Sequence, residues 1–170
     1  RIYQIHTTRG VTIFRIDLVS GNADLLIQRL PRGTNYTEVK ERYEDEIRKI
    51  VDLDTFSLLN IKSSVRKIED SDEVERRQTN FETIAGGKIS FKSKSRGVDY
   101  TTDPSLSKAR HALGERVSGL LGNFYWLPKT PLARKIHTHV YGWDSRVGIF
   151  GECSEQEVNY VLSRVRYFAR

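Results

Sequence analysis

The chain has 170 residues, 38% of them hydrophobic, 29% charged and 10% aromatic, a balance that excludes a disordered tail and suits one packed domain. Its single cysteine, Cys153, excludes an intrachain disulfide and fits a reducing, intracellular setting. The net charge of +6 is unevenly placed: residues 1–79 carry 14 basic and 14 acidic side chains, residues 80–170 carry 14 basic and 8 acidic, so a polyanion is expected to meet the second half.

No run reaches the 18 or so apolar residues that a membrane span needs, and no leader pattern is present, so we expect no membrane partner. The chain opens at Arg1 in a strand-like run and contains no methionine, so we expect one domain, 1–170, cut from a longer protein.

In chain order, Ile2–His6, Val11–Leu18 and Ala23–Leu30 alternate between turn residues and predict a three-stranded antiparallel meander. Asn35, with Glu38 three positions on, predicts a helix cap, and Tyr36, Val39, Tyr43, Ile47 and Ile50 follow at helical spacing. A second helix is expected over 54–68, capped by Asp54, with Leu58, Ile61, Val65 and Ile68 as its apolar stripe. The acidic run 69–78 reads as an exposed loop joining the sub-halves 1–68 and 79–170.

Strands are expected next at 79–84, 88–94 and 98–102, followed by a helix near 105–113 opened by Asp103-Pro104. Further strands are expected at 115–127, 136–141 and 146–150. A last helix begins at Ser154, with Glu157 as its capping-box partner. The expected class is α+β, with mainly antiparallel sheet and three to four helices, and the order is compatible with two similar β-β-β-α halves.

Several groups of residues carry chemistry. Lys88, Ser90, Lys92, Lys94 and Arg96 fall on one side of a strand with Ile89 and Phe91 on the other, and such a basic row follows a phosphate backbone or guards a sheet edge. The last helix buries Val158, Val161, Leu162, Val165 and Phe168, which leaves Arg164, Arg166 and Arg170 as a second basic patch. Tyr125, within Asn123-Phe124-Tyr125-Trp126-Leu127, and Trp143, in a turn, are candidates for partner binding, with core packing as the other reading.

His137 and His139, two apart on a strand, share a face on which two imidazoles can approach a metal. The pair resembles the His-x-His of HUH-type nucleases, and that resemblance implies a divalent ion at the histidines and Tyr160 as the nucleophile on a phosphodiester. Thr138 between the histidines and Arg164 in place of a lysine depart from the pattern, and no third ligand is evident. The residues by themselves read as structural, with no catalytic group and no cofactor.

The reading that the sequence favours is a non-catalytic nucleic-acid-binding module of a larger intracellular protein, with RNA and DNA both open. A regulatory or assembly domain that contacts a protein partner or a neighbouring domain through Tyr125, Trp143 and the last helix is the alternative, and self-association also stays open.

Overall fold

The computed structural model describes residues 11–94, 98–114, 116–129 and 132–170. The expected strand at 2–6 and the candidate phosphate contact Arg96 lie outside the described residues. Backbone packing divides the chain into two compact units, 1–57 and 58–170.

In the first unit, β1 (Thr12–Asp17) and β2 (Asn22–Ile27) form an antiparallel hairpin. Its turn is closed by Asp17, whose carboxylate accepts from the Val19 and Ser20 amides, and by Gly21 at φ +69, a left-handed conformation natural to glycine. Arg15 meets Asp24 across the two strands at 3.0 Å. Helix α1 (Tyr36–Arg48) starts where expected: Asn35 accepts from the Thr37 amide and its own amide group donates to Glu38. Lys40 and Glu44 pair at 3.3 Å along its outer face.

The second unit is built on a five-stranded antiparallel sheet in the order β4-β3-β5-β6-β7. Its strands are β3 (Val74–Thr83), β4 (Lys88–Lys92), β5 (Val117–Trp126), β6 (Ile136–Tyr141) and β7 (Arg146–Phe150). Three helices accompany them: α2 (Lys62–Asp70), α3 (Pro104–Ala112) and α4 (Glu155–Ala169). The chain is thus α+β with mainly antiparallel sheet, as its sequence pattern requires. The five strands of this sheet all come from this unit.

Three local expectations are corrected. Asp52, not Asp54, caps a single 3-10 turn at Leu53–Thr55; Phe56 ends it in extended backbone, and the helix begins only at Lys62, after the Asn60 side chain has accepted the Lys62 amide. The acidic run is no loop. Glu69 and Asp70 end α2, and Val74 already lies in β3, because Glu69 turns inward to meet Arg110 at 2.5 Å and the Tyr100 hydroxyl. The stretch expected as a strand at 98–102 instead holds a 3-10 turn, Tyr100–Thr102, because the Asp99 carboxylate accepts from Thr101 and binds Arg76.

One face of the sheet is covered. Ile61, Val65 and Ile68 of the α2 region and Val161 and Val165 of α4 pack with Val74, Phe124, Trp126, Ile136 and Val140 into one apolar cluster. Close approach of α2 depends on Gly119, where a Cβ would stand 2.5 Å from that of Val65. A smaller cluster of Phe81, Phe91 and Tyr100, backed by Leu106 and Leu113 of the α3 region, covers the β4 end of the same face. Among the described residues, no helix is long and apolar enough to cross a membrane.

Candidate nucleic-acid interface

Strand residues directly opposite one another point to the same side of a sheet, so the register fixes which side chains share the uncovered face. One row runs Lys92, Gln78, Asn123, His139, Gly148 from β4 to β7. A second runs Ser90, Asn80, Leu121, Tyr141, Arg146. A third runs Glu75, Tyr125, His137, Phe150, and Lys88 stands opposite Glu82 near the far end. The alternation along β4 places Ile89 and Phe91 on the covered side, as its sequence demands.

The aromatic rings on this face touch. Tyr125 stacks on His137 at 4.6 Å between centroids, His137 stacks on Phe150 at 4.8 Å, and His139 meets Phe150 at 4.5 Å. Tyr141 continues the group to Trp143 at 5.3 Å, edge to face. Guanidinium groups flank it, Arg146 at 4.1 Å from the Tyr141 ring centre and Arg77 at 6.0 Å from that of Tyr125. Inner rings occupy one another's faces, so the surface left for a ligand is concentrated at Phe150, 44% exposed, and Trp143, 53% exposed.

Two irregularities shape the face. The β3–β5 register slips between Arg76 and Gln78, which sets Arg77 outside the pairing, and again between Asn80 and Phe81, which leaves Leu120 unpaired on β5. Polar groups on the face are fixed by one another: the Asn80 side-chain oxygen accepts from Gln78 at 3.0 Å and from Ser90 at 2.8 Å, and His137 Nε2 lies 2.8 Å from the Asn123 side-chain oxygen. His139 Nδ1 lies 3.1 Å from the Tyr141 hydroxyl.

Burial, reinforced by nearby Arg77, lowers the affinity of His137 for a proton. Burial and the neighbouring His137 push His139 down further, to about 4. Both are therefore neutral near pH 7 and behave as parts of the aromatic surface.

The structure separates the elements of the nuclease resemblance. Tyr160 packs edge-on to Trp126, 6.4 Å away on the covered side, whereas His137 and His139 stand on the uncovered side. Burial and the nearby Glu73 raise the Tyr160 hydroxyl above its ordinary pKa, the wrong direction for a nucleophile. Among the described residues, no three His, Cys, Asp or Glu side chains gather to hold a metal ion.

The two basic groups also part company. Lys88 and Lys92 are exposed on the uncovered face and Lys94 is exposed just beyond β4. Arg164 is held on α4 by both carboxylate oxygens of Glu73, with its guanidinium 4.3 Å from the Tyr167 ring centre, so it is committed to the fold. Arg166 is half-buried on the same helix and Arg170 is exposed at its end, on the helix whose Val161 and Val165 pack against the covered side of the sheet.

Tyr125 and Trp143, the candidate partner contacts, both belong to the aromatic group with the histidines. Sequence reasoning passed over Arg77, Asn80 and Phe150. Nothing in the sequence signals the bulge that sets Arg77 outside the ladder, whereas Phe150 stands two positions after Gly148 in an alternating strand and was open to the same parity argument as His137.

By architecture the second unit is a two-layer domain, helices on one side of an antiparallel sheet and an aromatic, basic-edged surface on the other. The chain matches no family model, and no curated protein and no solved structure is significantly similar to it.

Proposed function

We propose that residues 58–170 bind single-stranded nucleic acid across the uncovered face of the sheet. The observation that carries this reading is the sharing of one face by the exposed lysines of β4 and the aromatic group of β5, β6 and β7. Neighbouring strands lie about 4.8 Å apart, so β4 and β7 are separated by about 19 Å, a distance that several nucleotides of an extended strand can bridge. Lysines at one edge take phosphates, while Phe150 and Trp143 offer ring surface for bases. A duplex hides its base faces, which is why the reading specifies a single strand.

The test is fluorescence anisotropy of labelled single-stranded and duplex RNA and DNA of equal length, with wild type beside Phe150→Ala. Binding of single strands in preference to duplexes is expected, and loss of the Phe150 ring should weaken it by about 1–3 kcal/mol. No binding of any single strand at low salt would overturn the reading. The exposed Trp143 and Phe150 then favour the second candidate, a protein partner seated on the same aromatic surface, whose binding would be insensitive to loss of Lys88 and Lys92.

A further inference from the structure

At the end of the uncovered face beside the β6–β7 turn, the surface dips into a shallow cleft of about 510 Å³, within the roughly 300–1,000 Å³ range of small-ligand sites. Lys62, Asn80, Glu82, Lys88, Leu120 and Trp143 line it. Resting on the nucleic-acid reading above, we propose that this cleft selects one base of the bound strand, a guanine.

The wall is held in place by the fold. The Gly142 amide donates to the Leu120 carbonyl at 2.8 Å, and a Cβ on Gly142 would stand 2.2 Å from the Gly119 carbonyl oxygen, so the turn bearing Trp143 is seated directly on β5. The Ser145 hydroxyl donates to the Leu59 carbonyl and ties down the other side of that turn. Tyr141 meets the Trp143 ring edge to face, and the indole keeps 53% of its surface for a ligand.

The polar groups suit one base edge. Asn80 spends its side-chain oxygen on Gln78 and Ser90, so its remaining capacity is as an N–H donor. Glu82 is an acceptor whose carboxylate stands 4.0 Å from Lys62 Nζ and opposite Lys88 on the neighbouring strand. A carboxylate accepts two parallel N–H bonds, and among the four RNA bases only guanine offers two adjacent donors, N1–H and the N2 amino group, on one edge. Guanine O6, next to them, is the acceptor that Asn80 requires. Lys62 and Lys88 keep the carboxylate from repelling the strand and supply charge for a flanking phosphate.

The experiment compares labelled eight-nucleotide strands of uridine alone, of uridine with one central guanine, and of uridine with one central adenine, against wild type and Glu82→Gln. The guanine strand is expected to bind wild type roughly tenfold more tightly than the other two, the size of one good bidentate base contact. Glu82→Gln should abolish that preference, so that the variant binds the three strands equally, and a cooperative urea unfolding transition shows that the variant is folded.

Because Trp126 is wholly buried, quenching of exposed tryptophan emission reports on Trp143, and the guanine strand should quench it more strongly than the uridine strand. Equal affinity of wild type for the three strands, or a guanine preference that survives Glu82→Gln, would overturn the assignment of the cleft while leaving strand binding intact. Failure of every strand to bind would overturn both.

Discussion

Removal of Lys88 and Lys92 together should change how binding responds to salt by a calculable amount. Both ammonium groups stand on the uncovered face of β4 and are exposed, and neither is engaged in an ion pair among the described residues. Each cation that neutralises a phosphate of a single strand contributes about 0.7 to the slope of log affinity against log salt, so the Lys88→Ala/Lys92→Ala variant should lose about 1.4 from that slope. Over a fourfold rise in salt, from about 50 to 200 mM, wild-type affinity should fall about sevenfold further than that of the variant.

Anisotropy titrations at four or five salt concentrations measure both slopes. The control is Arg170→Ala, which removes an exposed cation at the end of α4, the helix packed on the covered side, and should leave the slope unchanged. A slope that stays at the wild-type value in the lysine variant, or that falls equally in the Arg170 variant, would refute the placement of the strand on the open face.

Three further outcomes follow from packing and charge. Gly119→Ala should destabilise the second unit by about 1–3 kcal/mol in urea unfolding, because the new methyl would stand 2.5 Å from the Val65 Cβ and 2.8 Å from the Lys62 carbonyl oxygen. Arg164→Ala should lower stability, because it strands the half-buried Glu73 carboxylate, while leaving nucleic-acid affinity unaltered in the same anisotropy assay.

The third concerns pH. The folded-state pKa of His139 lies at about 4, below its ordinary 6.5, so the unfolded chain binds the extra proton more readily. Stability should therefore be fully present above pH 6.5 and decline as pH falls towards 4. Discounted for the partial solvent exposure of the ring, the loss should be about 1–2 kcal/mol. Unfolding curves at pH 7 and pH 4.5 should show a smaller difference in His139→Gln.

The sequence spoke clearly where the signal was local. Asn35, Asp103-Pro104 and Ser154 with Glu157 begin helices because each cap acts within three residues of itself, and β6 and β7 have the expected bounds because their alternation is unbroken between turn residues. It spoke less clearly where a distant partner decides. Glu69 and Tyr100 look like an acidic-loop residue and a strand residue until Arg110, 41 positions beyond Glu69, draws the carboxylate inward.

The same limit applies to the site. Parity along single strands placed Lys88 with Lys92 and His137 with His139, but only the register of β3 against β4 and β5 shows that these two pairs share one surface. Arg164 looked like a free cation because Glu73, its partner, lies 91 positions earlier.

The buried meeting of Glu69, Tyr100 and Arg110 has a dynamic consequence. It stands beside the small cluster of Phe81, Phe91 and Tyr100, which the main core around Trp126 does not include. A seam of charge is a weaker joint than continuous apolar packing, so β4 and α3 can open together while the rest of the sheet stays closed. Amide exchange should resolve two tiers of protection, the lower one in β4 and α3 and the higher in β5 and β6. The strand bearing the lysines would then belong to the part of the domain that loosens first.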